Sequence, residues 1–244
     1  MKNQYFGDVR DLFKYDLIQR ILKEISYLEK FTFIPMLTKY DPKGKDGNER
    51  DFDGAKKDGR PGTNNKELMK LLEKKKQVEA DKRDFTEIED YFNSEDIGVD
   101  IYKGHEYFDH GRRDEYFENI PEDLLRNYLV FVDPDNGLKI KNSGEKHLLY
   151  DDVKKLYERM DEDSILMIYQ HFPREKHIEY LCRRASELKK LTEDLPIYIS
   201  DNEIIFFLLT KNDELRNQLE RIISRYKRDY RKRIIIGNVN YNGM

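Results

Sequence analysis

The carboxylates and amide with most chemical potential sit in Asp133-Pro134-Asp135-Asn136-Gly137, directly after the apolar run Tyr128-Leu129-Val130-Phe131-Val132. Proline and glycine stop a strand, so these groups are left at its C-terminal end. In open α/β sheets that end is where ligands bind. Asp133 and Asp135 can share a divalent cation such as magnesium, which would suit a nuclease or phosphodiesterase. One of them can instead accept a proton from a substrate amine or hydroxyl. Asn136 can donate to a phosphate or carbonyl. The same residues also fit a plain turn, in which short polar side chains satisfy the local backbone.

A second polar group leaves a later apolar run at Tyr169-Gln170-His171-Phe172-Pro173-Arg174. His171 suits a general base or a ligand, and Arg174 a phosphate clamp. A histidine paired with a loop carboxylate is the structural alternative. Asp11 and Lys14 are three apart on the first helix, hence on one face. They form either a surface ion pair or a site in which Lys14 neutralises an anion near Asp133. Tyr5, Phe6 and Gly7 would then border the pocket as a flap. The other histidines, His105, His110, His147 and His177, lie in polar loops or helix starts and read as solvated.

Helical periodicity runs over 8–28, 66–82, 85–92, 116–126, 151–160, 175–191 and 212–225. Strand patterns cover 31–37, 99–102, 128–132 and 164–169, and 197–199 with 204–209 form a hairpin around Asp201-Asn202. Strands that alternate with helices imply an α/β fold. The expectation is a Rossmann-like, mostly parallel sheet with helices on both faces and a terminal β-hairpin. The loop 38–65 is long, and its Asp41 or Asp46 would join the magnesium site in the metal reading. It lacks the regular oxygen spacing of a calcium loop, and serves as a lid with substrate contacts or as a plain solvated loop.

Residues 1–225 read as one domain and 226–244 as a basic C-terminal extension. Arg225 to Arg233 interleaves Tyr226 and Tyr230 with lysines and arginines, a pattern for phosphate contact and base stacking on nucleic acid, or for a charged helix end. Ile234-Ile235-Ile236 would pack as a strand or on a second copy, so a homo-oligomer through this segment is open.

The chain has 244 residues, 39% charged, with 17 Tyr and 13 Phe available for a core, so long solvated helices are expected rather than disorder. A net charge of −4 excludes a protein that coats DNA uniformly. The single Cys182 forms no internal disulfide and no zinc cluster. No signal-peptide pattern or membrane-spanning run is present, so a cytoplasmic protein without a membrane partner is expected.

Asn3-Gln4-Tyr5-Phe6-Gly7-Asp8, Asp133-Pro134-Asp135-Asn136-Gly137-Leu138 and Tyr169-Gln170-His171-Phe172-Pro173-Arg174 together resemble a family of bacterial and phage proteins of unassigned function, over about residues 1–211. More distantly, the first helix is similar to that of the ribosomal RNA adenine-N6 methyltransferases, with their His-Ala-Gly-Asn-x-x-Asp-Val-Leu-Lys-His pattern. Gly7, Asp8, Asp11, Leu12, Phe13, Lys14 and Tyr15 fall at the corresponding spacing. Asp133-Pro134-Asp135-Asn136 stands where that family has Asp-Pro-Pro-Tyr. The resemblance implies a methyltransferase-like Rossmann fold, S-adenosylmethionine as cofactor and a nucleic acid or nucleotide as substrate. It implies that Asp133 and the Pro134 carbonyl hold a target amine, and that Gly7, Asp8 and Lys14 help to close the site. Two departures stand out. Asn136 cannot stack on an extruded base as tyrosine does. The first strand is followed by Gly44 and Gly47 rather than a compact Gly-x-Gly. A non-catalytic binding module of a phage or defence system is the third expectation beside the transferase and the nuclease.

Overall fold

The computed structural model describes residues 1–28, 30–44, 49–140, 143–173, 175–230 and 234–238. In chain order the sheet-forming and covering elements begin with α1 (Arg10–Glu24), β1 (Lys30–Ile34), α2 (Phe52–Lys57), α3 (Lys66–Lys74), α4 (Ile88–Ser94) and β2 (Gly98–Ile101). Next come α5 (Arg113–Glu118), β3 (Tyr128–Val132), β4 (Gly137–Leu138), β5 (His147–Leu148), α6 (Tyr150–Arg159) and β6 (Ile165–His171). The chain closes with α7 (His177–Thr192), β7 (Ile197–Ser200), β8 (Ile204–Leu209), α8 (Asp213–Asp229) and β9 (Ile235–Asn238).

Seven strands form one sheet in the order β2-β1-β3-β6-β8-β7-β9. The first four are mutually parallel. β8 runs against both of its neighbours, β6 and β7, and β9 runs against β7. The fold is therefore the expected Rossmann-like α/β arrangement, with the hairpin β7–β8 inserted so that its second strand lies beside β6. β1 leads to β2 on one side while β3 lies on the other, which creates a topological switch point between β1 and β3.

Strand side chains alternate between two cores, as period-two geometry requires. Phe31, Phe33, Leu129, Phe131, Ile165 and Met167 meet α1, α3, α4 and α8 on one face. Val130, Val132, Leu166 and Ile168 meet α5, α6 and α7 on the other. Burial on both faces explains why the central strands read as unbroken apolar runs rather than as alternating ones.

Several boundaries differ from the sequence pattern. The strand expected to reach residue 37 stops at Ile34, because Pro35 offers no N–H and Met36 turns at φ 35°. The helix expected over 116–126 becomes α5 and then a short 3-10 turn beyond Pro121. The two-residue ladder of β4 and β5 gives no periodic signal because it is too short.

The largest difference is at the C-terminal end. α8 continues to Asp229, and Tyr226 and Tyr230 are buried in the core. Their hydroxyls donate to Asp16 Oδ2 at 2.8 and 3.3 Å. These rings are thus not available to stack on bases, which corrects the nucleic-acid reading of this stretch. Arg231, Lys232 and Arg233 lie outside the described residues. Ile235 and Ile236 pair with Ser200 and Ile199, so the apolar segment extends the sheet of its own chain. Among the described residues no helix is long and apolar enough to cross a membrane.

Tyr226→Phe should remove one donor from a buried carboxylate and lower stability by about 1–2 kcal/mol in urea denaturation. A stacking role would give the opposite result: unchanged stability and weakened binding to nucleic acid.

Candidate functional site

β3 ends one residue before Asp133, whose N–H still donates to the Ile34 carbonyl at 3.0 Å. The alternation that turns Leu129 and Phe131 toward α1 turns Asp133 the same way. There it meets Lys14, whose ammonium lies 2.8 Å from Asp133 Oδ2 and 2.9 Å from Asp11 Oδ1. All three side chains are buried. Burial works against the Lys14 charge, but Asp11 and Asp133 outweigh it and raise its pKa well above the ordinary lysine value. The tyrosine rings of residues 169 and 15 flank the ammonium at 4.9 and 5.4 Å.

The turn into α1 is shaped for this contact. Gly7 sits at φ +84°, and a Cβ there would come within 2.6 Å of the Lys75 Cβ. Its N–H donates to Asp11 Oδ2 at 2.9 Å. Asp8, also buried, accepts from the backbone of Arg10 and of Glu49 at 2.9 and 2.8 Å. Gly137 sits at φ +101°, and any side chain there would strike the Gln170 amide. Gln170 holds the acidic turn onto β6: its oxygen accepts from Leu138 N at 2.6 Å, and its nitrogen donates to the Asn136 carbonyl at 3.3 Å.

A cavity of about 960 Å³ opens on this rim. Asp133, Pro134, Asp135, Asn136, Gln170 and His171 line it from the sheet side, and Phe6, Asp8 and Lys14 from the N-terminal side. The three expected segments therefore meet around one cavity. Gly7 and Gly137 shape its backbone from behind. Arg174 lies outside the described residues.

The two carboxylates do not share a cation. Asp135 receives the Thr38 hydroxyl at 3.2 Å and has the Lys2 and Lys146 ammoniums at 3.6 and 3.9 Å. Burial alone would raise its pKa, but the Met1 ammonium, Lys2 and Lys146 bring it below the ordinary aspartate value. Asp41 pairs with Lys2 at 3.6 Å, and Asp46 lies outside the described residues. Among the described residues no group of three or more His, Cys, Asp or Glu is placed to hold a metal. A magnesium site built on Asp133 and Asp135 does not fit, because each already faces its own ammonium.

His171 has its Nε2 3.0 Å from the Tyr169 hydroxyl. Burial, then Arg10 and Lys14, push its pKa down to about 4. At neutral pH the imidazole is therefore uncharged, and it shares a hydrogen bond with the Tyr169 hydroxyl.

Sequence reasoning missed Met1, Lys2, Arg10, Lys146 and His147 in the cavity wall. Met1 carries no chemical signal, and chain ends usually fray. Here its ammonium donates to the Met36 and Asp133 carbonyls at 3.2 and 3.3 Å. Its own carbonyl accepts from the Thr38 N–H at 2.8 Å and from the Thr38 hydroxyl at 3.1 Å. Met1 thereby fills the crevice between the ends of β1 and β3, at the switch point. No described residue between β2 and α5 lines the cavity. Met1 thus takes up the crevice in which a nucleoside cofactor sits in the usual Rossmann plan.

No protein-family model matches this chain, and no curated protein matches it. Among solved structures, protein LPL1258 of Legionella pneumophila, assigned to family model DUF519, shares 10% identity at a TM-score of 0.48 over 97% of this chain and 98% of that one. A likeness of this size bears on neither activity nor site residues.

Two outcomes test the electrostatics. Lys14→Met leaves Asp11 and Asp133 buried without their cation and should cost about 3–5 kcal/mol in chemical denaturation. For His171 the folded pKa of about 4 lies below the unfolded value of 6.5, so in that window the unfolded chain binds more protons. Stability is full above pH 6.5 and falls as pH drops toward 4, by roughly 2–3 kcal/mol from this group. A His171→Gln variant should show a shallower loss over the same range in pH-dependent melting.

Proposed function

We propose that this protein acts on a nucleotide or nucleic acid, with the rim cavity as its substrate site on a methyltransferase-like Rossmann fold. The observation that carries the reading is the buried Asp11–Lys14–Asp133 cluster at the cavity wall, assembled from the first helix and the third strand end. Two further features support it. The cavity lies on the carboxyl rim of the sheet, where ligands of such folds bind. The reversed β8 between β6 and β7 resembles the hairpin that class I methyltransferases add to the Rossmann plan.

In this reading Asp133, oriented by the Lys14 ammonium, accepts from an amine or hydroxyl of the substrate. The neighbouring Pro134 carbonyl offers a second acceptor, so the pair fixes the group in line rather than reacting with it. Asn136, exposed at the mouth, contacts the remainder of the substrate. A non-catalytic binding module is the second reading. Met1 in the switch-point crevice favours it, because a transferase needs its cofactor next to Asp133.

Isothermal titration with the four ribonucleoside monophosphates, short single-stranded RNA and DNA, and S-adenosylmethionine tests both. Wild-type protein should bind at least one nucleotide or oligonucleotide. Asn136→Trp, which narrows the mouth, should weaken that binding at least tenfold. Binding of S-adenosylmethionine would restore the transferase, whereas nucleotide binding without it identifies the module. If no nucleotide or oligonucleotide binds, the proposal fails.

A further inference from the structure

We infer that Phe172 is the surface on which this cavity stacks a nucleobase, an inference that rests on the nucleotide-directed reading above. Phe172 follows β6 and stays on its extended path, since its N–H donates to the Glu203 carbonyl at 3.0 Å. Alternation therefore puts it on the same face as Gln170, whose amide grips the backbone of Asn136 and Leu138. Two residues of extended chain carry it about 6–7 Å farther out along the rim. It lines the cavity there and is half-buried.

The ring is already stacked on one side. His177, at the start of α7, lies parallel to it with centroids 3.8 Å apart and an interplanar angle of 13°. What Phe172 can offer the cavity is therefore its other face or its edge, held rigid by the imidazole behind it. Tyr180 stands beside it at 6.1 Å, and the Arg184 guanidinium lies 5.0 Å from the Tyr180 ring. Arg184 also lines the cavity and is buried, and its Nη1 donates to the Tyr150 hydroxyl and to Glu187, both at 2.8 Å.

One wall thus combines a fixed aromatic surface with a guanidinium held by its own partners. A nucleobase answers the aromatic surface, because it has a π-face. A sugar phosphate has no such face. Asn136 offers no aromatic face, whereas Phe172 at the neighbouring strand end does.

The test uses AMP and ribose 5-phosphate on the wild-type chain, Phe172→Leu and Phe172→Tyr, with melting curves as the folding check. Leucine keeps the apolar volume and removes the π-face; tyrosine keeps the ring. Phe172→Leu should weaken AMP roughly tenfold to a hundredfold, the range expected for one base–aromatic stack. Ribose 5-phosphate should bind both proteins alike, and Phe172→Tyr should bind AMP within about threefold of wild type. Unchanged AMP affinity in a folded Phe172→Leu variant, or equal loss of both ligands, overturns the inference while the nucleotide reading stands. Absence of any nucleotide binding in the wild-type chain overturns both.

Discussion

One buried ammonium organises the rim of this sheet. Lys14 cannot lose its charge without leaving two carboxylates exposed to a low-dielectric interior, and neither carboxylate can stay buried without it. The contact therefore locks α1 onto the end of β3. It also fixes the direction in which Asp133 points. The cluster holds two anions and one cation, and the residual negative charge is eased by donors at the start of α1. The Gly7 N–H reaches Asp11, and the positive end of the helix dipole lies alongside.

Around that centre the cavity wall is fastened by further ion pairs from separate segments. Glu203, in the β7–β8 turn, accepts from Arg10 at 2.7 Å and also pairs with Arg60. Arg60 reaches Glu49 at 2.9 Å, and Glu49 donates its N–H to Asp8. The long loop after β1, the first helix and the terminal hairpin are thus tied into one frame. A site held this way is preorganised, because Asp8, Arg10, Asp11, Lys14 and Asp133 are each held by a charged partner. The same pairing explains why carboxylates that look metal-binding in the sequence are not. Asp133 accepts from Lys14, and Asp135 accepts from Thr38 and stands among Lys2, Lys146 and the Met1 ammonium.

The local patterns were legible in the sequence. The apolar run ending at Asp133, the three-residue spacing of Asp11 and Lys14 and the hairpin around Asp201-Asn202 follow from period and turn chemistry alone. What was not legible depends on contacts between distant residues. Nothing near Tyr226 announces that its hydroxyl will reach Asp16, so an aromatic set among arginines reads as a nucleic-acid patch when it is core. The burial of His171 beside Arg10 and Lys14 is equally silent in the sequence. Met1 reads as a loose end until Thr38 donates to its carbonyl between two strands.

That last placement decides how the cavity can be used. The switch point of an open α/β sheet is a favoured ligand position because strand-end backbone groups there lack partners. In this chain Met1 supplies those partners: two strand-end carbonyls take its ammonium, and Thr38 takes its carbonyl. A ligand seated at the same place must replace all four hydrogen bonds and bury comparable apolar surface before it gains any affinity. A ligand seated farther along the rim, between Asp133 and the end of β6, displaces none of them. Asp133, Asn136, Gln170 and His171 line that second place, so the physical balance favours a substrate there over a ligand at the switch point.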